Sequence, residues 1–259
     1  MIVEPLANGE LLRFGTIAEL PGCTHAITVK PWNMACHCGP NAGAALEHRR
    51  TVCDALDLPF ERLTCAEQVH GCELAVVDVG QAGAGRDGRA SAITGVDGLL
   101  TDQPGVGLML LSADCPLVLV CDPDRPAVGV AHASWRATVS RISQGLANRM
   151  IEAFGCRPAD MWAGIGPSAG PDSYVVGDDV RQQAAASLDN AERYFRQTPA
   201  GMTFDLWSAN RDQLLATGLR AERVEVAGIC TLQDDRFFSY RREGPETGRF
   251  ALVAGVGSS

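Results

Sequence analysis

The sequence predicts one α+β domain. Apolar runs of strand length occur along the same chain as segments in which apolar residues recur at helical spacing. No internal repeat, low-complexity linker or block of charge marks a domain boundary. The 259 residues, 46% of them hydrophobic, can bury a sizeable core, so residues 1–259 are expected to fold as a single domain.

The first predicted strands surround a glycine-rich loop. A valine-rich strand is expected at residues 73–79, and a second at 96–101. The polar, glycine-rich stretch between them, residues 80–91, is a loop that either covers a site or only connects the strands.

Two further apolar runs flank a proline. They span residues 106–111 and 117–121, and Pro116 excludes one continuous central strand because proline lacks the N–H that a sheet ladder needs. Cys115 is therefore predicted at a strand end or a bulge.

A strand-to-helix connection is predicted around His132. The apolar run 127–131 leads into it, and apolar residues then recur at helical spacing from Val139 to Phe154. The second half is expected to contain a strand at 161–165, a glycine-rich loop at 164–170, helices at 178–188 and 206–217, and strands at 224–228 and 250–253.

Charge and cysteine usage restrict the partners and the compartment. A formal net charge of −9 argues against nucleic-acid binding, since phosphate backbones are gripped by an excess of lysine and arginine. No apolar stretch reaches the roughly 18 residues of a membrane span. Ten cysteines spread along a chain without an N-terminal signal segment predict the reducing cytoplasm rather than a disulfide framework. The expected partner is a small molecule.

Three short segments each carry one good metal ligand. They are Gln68-Val69-His70-Gly71, Ala113-Asp114-Cys115 and His132-Ala133-Ser134-Trp135-Arg136. Two imidazoles and a thiolate can hold a catalytic zinc, which keeps one position open where a structural zinc is closed by four ligands. The spacing does not tell whether the three converge, and each residue could instead be inert, as a buried cysteine often is.

The order of motifs resembles that of a known family. The three segments are followed by Gly166-Pro167-Ser168, Cys230-Thr231, Ser239-Tyr240-Arg241-Arg242 and Thr247-Gly248-Arg249. This order is similar to that of the laccase-domain proteins, also called polyphenol oxidase-type or multicopper-oxidase-like, which are associated with purine nucleoside phosphorylase activity. The resemblance covers about residue 66 to the end and is loose around Asn33, His37 and Gly39.

The resemblance implies a fold, a metal and a reaction. It implies a layered α/β/β/α sandwich with mixed sheets, and a single domain of this type over residues 1–259. Zinc ligands carry over onto His70, Cys115 and His132, with copper as the other metal to consider. The implied reaction is phosphorolysis of adenosine, inosine or methylthioadenosine, with adenosine deamination as a second activity.

Further residues are candidates for catalysis and substrate binding. Cys115 and His132 are the central catalytic candidates, and Asp114 is either the proton-transfer group of a deamination or a turn aspartate. Arginine side chains suit phosphate oxygens. Arg136, in the third motif, is the first candidate, and Arg241, Arg242 and Arg249 are the others. Gly166 and Ser168 lie in the loop 164–170, which either presents N–H groups to substrate or is a bare turn.

Two positions depart from the family pattern, and one cysteine-rich segment is set aside. Ser134 and Ala137 stand where the family has glycines, so a side chain there would narrow the pocket or change its preference. Cys36-His37-Cys38 is excluded from the metal site because adjacent side chains of an extended segment point to opposite faces.

Other functions use the same residues. Cys115 could be the nucleophile of a metal-free hydrolase of amide bonds, for example in peptidoglycan precursors, with His70 or His132 as base. Copper-dependent phenol oxidation is disfavoured, because five histidines cannot build the several copper centres required. A binding protein without catalysis is the plainest alternative, and a monomer or weak homodimer is expected.

Overall fold

A computed structural model of the chain describes residues 1–6 and 9–257. Strands and helices follow in this order: β1 (Ile2–Leu6), β2 (Gly9–Arg13), β3 (Cys23–Thr28), α1 (Ala45–Ala55), β4 (Leu63–Glu67), β5 (Leu74–Val76), β6 (Ile93–Thr94), β7 (Gly98–Thr101), β8 (Gly107–Ser112), β9 (Leu117–Asp122), β10 (Ala127–His132), α2 (Trp135–Val139), α3 (Ile142–Phe154), β11 (Trp162–Ile165), α4 (Asp178–Ser187), β12 (Phe195–Thr198), β13 (Gly201–Phe204), α5 (Leu206–Ala216), β14 (Val224–Val226), α6 (Tyr240–Glu243) and β15 (Phe250–Val256).

Two mixed sheets form the centre of the molecule. One has seven strands in the order β1-β2-β3-β15-β8-β4-β6, and the other has six in the order β14-β11-β9-β10-β7-β5. Each sheet is antiparallel in its middle and becomes parallel towards an edge, where β4 pairs with β8 and β5 with β7. A separate hairpin joins β12 to β13.

The sheets pack face to face between layers of helix. Leu110 and Leu252 of the larger sheet share one buried cluster with Leu119 and Val130 of the smaller. Helices α3 and α5 cover the outer face of the smaller sheet, and α1 covers that of the larger. The predicted α/β/β/α layered sandwich with mixed sheets is therefore confirmed.

The central strands lie close to their predicted positions, and one helix differs. Strands β9 and β10 are buried on both faces, as expected of continuous apolar runs between two layers. The helical spacing from Val139 to Phe154 belongs to two helices, because Arg141 adopts a left-handed backbone (φ 63°) and separates α2 from α3. No helix in the described ranges is long and apolar enough to cross a membrane.

Candidate metal centre and substrate cavity

Strand register brings the three predicted ligands to one end of the smaller sheet. His132 is the last residue of β10 and pairs with Leu117, the first residue of β9, so Cys115 lies just beyond that pair. Strand β7 pairs with both β10 and β5 through Gly98, which brings the segment before β5, including His70, to the same end. The chain passes from β8 of one sheet to β9 of the other through the turn that holds Cys115, and its predicted place at a strand end is confirmed.

The three side chains form one cluster. One ligand atom from each of His70, Cys115 and His132 lies within 4.8 Å of the others. The two imidazole rings meet edge to face, with centroids 4.9 Å apart. His132 is buried, Cys115 is partly exposed and His70 is exposed, so the cluster faces outward on one side.

Asp97 organises the cluster, and sequence reasoning missed it. Its Oδ1 lies 2.8 Å from Nδ1 of His132, and its two oxygens accept the N–H groups of Val69, His70 and Gly71 at 3.0, 3.1 and 2.7 Å. These bonds hold His70 in a left-handed conformation, with φ of 60°. Because Nδ1 of His132 donates to the carboxylate, Nε2 is the ring nitrogen left free to bind a metal.

A glutamine fixes the first motif to the neighbouring sheet. The Gln68 side chain donates to the Leu111 carbonyl and accepts the Leu111 N–H, both at 2.8 Å. The next residue of β8, Ser112, donates its hydroxyl to the Cys115 carbonyl at 2.7 Å. The segments of His70 and Cys115 are thus both anchored to the end of β8.

The cluster favours a thiolate. Burial alone would raise the pKa of the Cys115 thiol, but the neighbouring imidazoles of His132 and His70 lower it to about 7. Burial likewise opposes protonation of His132, yet Cys115 and Asp97 raise its pKa to about 9. Burial also disfavours ionisation of Asp97, and its hydrogen bonds from His132 and the backbone outweigh that and lower its pKa. These shifts favour a Cys115 thiolate beside a protonated His132 when no metal is bound.

Asp114 connects several motifs through its carboxylate. One oxygen accepts the Thr231 hydroxyl and the other the Arg241 N–H, each at 2.7 Å, while the Asp114 carbonyl accepts the Ala169 N–H at 2.8 Å. The residue is buried, with φ of 100°. Both carboxylate oxygens are engaged within the protein, which favours its turn role, and its part in proton transfer stays a prediction.

The loop 164–170 contacts the segments of the site from outside the cavity. The Gly166 N–H donates to the Leu117 carbonyl at 2.9 Å, and the buried Ser168 hydroxyl accepts the indole N–H of Trp207 at 2.6 Å. Neither Gly166 nor Ser168 belongs to the cavity wall. They support the segments that form the wall, and substrate binding by them stays a prediction.

A cavity of about 600 Å³ opens beside the metal cluster. Three aromatic side chains, Trp135, Tyr174 and Tyr240, contribute to its wall. The Arg136 guanidinium lies 4.3 Å from the Trp135 ring centre, and that of Arg241 lies 5.3 Å from the Tyr174 ring centre. We call these three aromatic residues and two arginines together the aromatic mouth.

Arg242 is not brought to the cavity. Its guanidinium donates to the carbonyls of Thr231 and Phe237 at 2.6 and 2.7 Å and pairs with Glu243 at 2.7 Å. Arg242 therefore holds together the turn that precedes α6, and its role in substrate binding gains no support from its position.

The two departures from the family pattern are accommodated locally. Ser134 begins α2, where its hydroxyl accepts the Ala137 N–H at 3.2 Å, and its φ of −53° does not require glycine. Ala137 is fully buried in the core between α2 and the smaller sheet. Ser134 belongs to the cavity wall, but its side chain is engaged in capping the helix.

Several cavity residues come from two segments that the sequence analysis either set aside or left undecided. Cys36 and His37 line the cavity, although Cys36-His37-Cys38 is not part of the metal cluster. Gly85, Gly88 and Arg89 of the glycine-rich loop also line it, so this loop does border the site. The signal that could have found Cys36 and His37 is the loose family resemblance around Asn33, and for the loop it is the glycine content of residues 80–91.

The fold and site define a class of protein: a layered α/β/β/α protein with a group of three potential metal ligands in the wall of a cavity of about 600 Å³. Residues 21–257 match the family model described as multi-copper polyphenol oxidoreductase laccase. The chain belongs to this family.

Relatives of known structure or with curated names support the assignment. The chain is 37% identical to purine nucleoside phosphorylase YlmD of Geobacillus stearothermophilus over 230 residues, 86% of this chain and 82% of that protein. The crystal structure of YlmD from the same organism superposes with a TM-score of 0.90 over 99% of each chain, at 33% identity. Adenosine deaminase RL5, from an unknown prokaryotic organism, is 31% identical over 220 residues, 84% of each chain.

Proposed function

We propose that this chain is a zinc-dependent purine nucleoside phosphorylase acting on adenosine, inosine or methylthioadenosine, with adenosine deamination as a second activity. The observation that carries the proposal is the cluster of His70, Cys115 and His132, open on one side, in the wall of a cavity of about 600 Å³. The names of the relatives, phosphorylase and deaminase, support the same reactions.

The donor set fits zinc. Two imidazoles and a thiolate are ligands that zinc accepts, and three of them leave the fourth position free. The Cys115 pKa of about 7 provides the thiolate, and Asp97 fixes His132 in the tautomer that offers Nε2. When bound, zinc supplies a Lewis acid that stabilises negative charge during the reaction. Copper would use the same donors, and we propose zinc because so few histidines are available for further copper centres.

The aromatic mouth suits a purine nucleoside. Flat rings of Trp135, Tyr174 and Tyr240 provide stacking surfaces for a base. Arg136 and Arg241 lie over two of these rings and present N–H groups at their edges to substrate oxygens.

In the proposed phosphorolysis, a phosphate oxygen attacks the sugar carbon C1′ and the bond from C1′ to the purine nitrogen breaks. The electron pair of that bond leaves with the purine, which then takes up a proton. The chain's contribution is to hold both substrates in line and to stabilise the charge that develops on the base.

A nucleoside panel tests this function. Zinc-loaded protein is incubated with adenosine, inosine and methylthioadenosine, with and without phosphate, and the products are identified by chromatography. We expect free purine base and ribose 1-phosphate, or its methylthio analogue, in the presence of phosphate only, and loss of both zinc and activity in His132→Ala. Absence of phosphate-dependent base release from all three nucleosides would refute the proposal.

A second candidate is favoured by one observation. The Cys115 sulfur lies within 4.8 Å of an imidazole nitrogen of His132, and the neighbouring imidazoles lower the pKa of its thiol, as in cysteine hydrolases, so amide hydrolysis without metal is the alternative. It requires metal-free protein to cleave amide substrates, such as peptidoglycan precursors, and Cys115→Ser to abolish that cleavage. Activity that appears only with added zinc rules it out.

We also propose the setting in which the protein works. Its cysteines are free thiols in the described residues, which supports a reducing cytoplasm. We propose a single domain over residues 1–259 that acts as a monomer or weak homodimer on small molecules, without nucleic-acid or membrane partners. Light scattering of the purified chain across a concentration series tests the oligomeric state.

A further inference from the structure

One part of the cavity wall is basic in a protein of net charge −9. His37, Arg49, Arg89 and Arg249 all line the cavity, and they come from chain segments distinct from those of the metal ligands and the aromatic mouth. We call these four residues the basic cluster. A local excess of positive charge in an acidic protein indicates an anionic ligand.

Arg49 is a buried guanidinium without a carboxylate partner. The residue is only 3% exposed, and it donates to the carbonyls of Met34 (2.8 and 3.0 Å), Gly85 (3.2 Å) and Arg86 (2.6 Å). Within the described part of the chain no acidic oxygen lies within 4 Å of it. Buried charges are ordinarily paired, so this one calls for a counter-ion from outside the chain.

Asn33 holds His37 and Arg249 together. Its side-chain amide donates to the carbonyls of Cys38 and Pro40 at 2.7 and 2.9 Å, and its Oδ1 accepts the Arg249 N–H at 2.9 Å. Gly39 and Gly248 touch so closely that a Cβ on Gly39 would lie 2.3 Å from the Gly248 Cα. The loop of His37 and the segment of Arg249, which directly precedes β15, are therefore held together.

The charges of the basic cluster do not cancel. The Arg249 guanidinium donates to the carbonyls of Thr247 and Gly248 at 2.7 and 2.9 Å and, like Arg49, has no acidic partner in the part of the chain that the structure describes. Arg89 alone is paired, with Glu67 at 2.9 Å. Burial lowers the pKa of His37, and the positive charges of Arg249, Arg89 and Arg49, which line the same cavity, lower it further.

Three arginines and one glutamate leave an excess of two positive charges. Orthophosphate near neutral pH carries up to two negative charges, and guanidinium groups bind its oxygens with planar, paired N–H donors. We propose that His37, Arg49, Arg89 and Arg249 form a phosphate site, distinct from Arg136 and Arg241 of the aromatic mouth. Its use by the co-substrate of phosphorolysis rests on the proposed function; the binding of phosphate does not.

Calorimetric titration of inorganic phosphate into the zinc-loaded chain of 259 residues tests the site. We expect Arg249→Gln to weaken phosphate binding about 10- to 100-fold, as loss of a charge-assisted contact does. Arg223→Gln is the matched control, because Arg223 stacks on Trp162 outside the cavity and loses the same charge. Arg49→Gln should weaken phosphate binding as well, but it also leaves three carbonyls without this donor, which affects the fold. Arg249→Gln is therefore the variant that decides whether the phosphate site exists.

Contrary results are clear. Unchanged phosphate affinity in Arg249→Gln, loss of affinity in Arg136→Gln alone, or no binding to the unmodified chain would each overturn the site. Adding adenosine or adenosine monophosphate distinguishes two sources of the phosphate. If adenosine binds alongside phosphate, the ligand is free phosphate acting as co-substrate. If adenosine monophosphate competes with phosphate, the ligand is the phosphate group of a nucleotide. If phosphate binds through Arg249 but the nucleoside panel shows no cleavage, the site stands and the phosphorylase function falls.

Discussion

At the residue scale, Asp97 is what turns three separate motifs into a site. One carboxylate accepts three successive backbone N–H groups around His70 and also fixes the ring of His132. Sequence reasoning placed residue 97 inside a strand and gave it no role. Its function depends on the register of β5, β7 and β10, and pairing register across a sheet cannot be read from one sequence.

We expect Asp97→Asn to weaken zinc affinity about 10- to 100-fold, since loss of a carboxylate partner of a ligand histidine has effects of this size. Competition with a chelator of known affinity measures it. Asp205→Asn is the control, because Asp205 is also a buried carboxylate but caps α5 at Ser208, outside the cavity. Equal zinc affinities for Asp97→Asn and the unmodified protein would contradict the role given to Asp97.

The cysteines should separate by pH in metal-free protein. Cys115, with its pKa lowered to about 7, becomes a thiolate above that pH and a thiol below it. Burial raises the pKa of Cys65 to about 11 and those of Cys53 and Cys156 to about 12, so these stay thiols. Iodoacetamide labelling followed by mass spectrometry should show Cys115 reacting with a midpoint near pH 7, and zinc should protect it. A midpoint near pH 9 would mean that His70 and His132 do not act on the thiol.

At the element scale, the short helix α2 carries Trp135 and Arg136 to the cavity, and its first turn depends on Ser134. Ser134→Ala should lower the free energy of unfolding by about 1 kcal/mol, whereas Ser134→Gly, which restores the family residue, should lower it by only a few tenths. Urea denaturation measures both, with Ser140→Ala at the exposed other end of α2 as the control. Equal losses for Ala and Gly would show that Ser134 does not act as a cap.

Strands were predicted correctly where both of their faces are buried, because their residues are then continuously apolar. Strands β8, β9 and β10 are continuous apolar runs because both of their faces are covered, and such runs are visible in a sequence. Helix α1 was missed because its buried face includes Arg49 beside Val52 and Cys53, so its apolar stripe is interrupted. Arg49, which interrupts the apolar stripe of α1, is also a member of the basic cluster.

At the scale of the whole molecule, the site lies where the chain crosses from β8 of the larger sheet to β9 of the smaller sheet. The proposed metal ligands come from the end of the smaller sheet, and Gln68 and Ser112 tie them to the larger. The basic cluster comes from α1 and from three other segments that border the cavity. The family resemblance supplied the three ligands but not this wider arrangement. The cavity is assembled from loops that are distant in sequence, so its full lining became visible only with the fold.

The central claim is that one zinc bound by His70, Cys115 and His132 is required for phosphorolysis. The most direct measurement is the phosphate-dependent rate of base release in samples of metal-free protein to which zinc is returned stepwise, with bound zinc determined in each sample. We expect a rate that rises in proportion to bound zinc and levels off at about one zinc per chain. Full activity in protein stripped of zinc, or zinc binding without any phosphate-dependent activity, would contradict it.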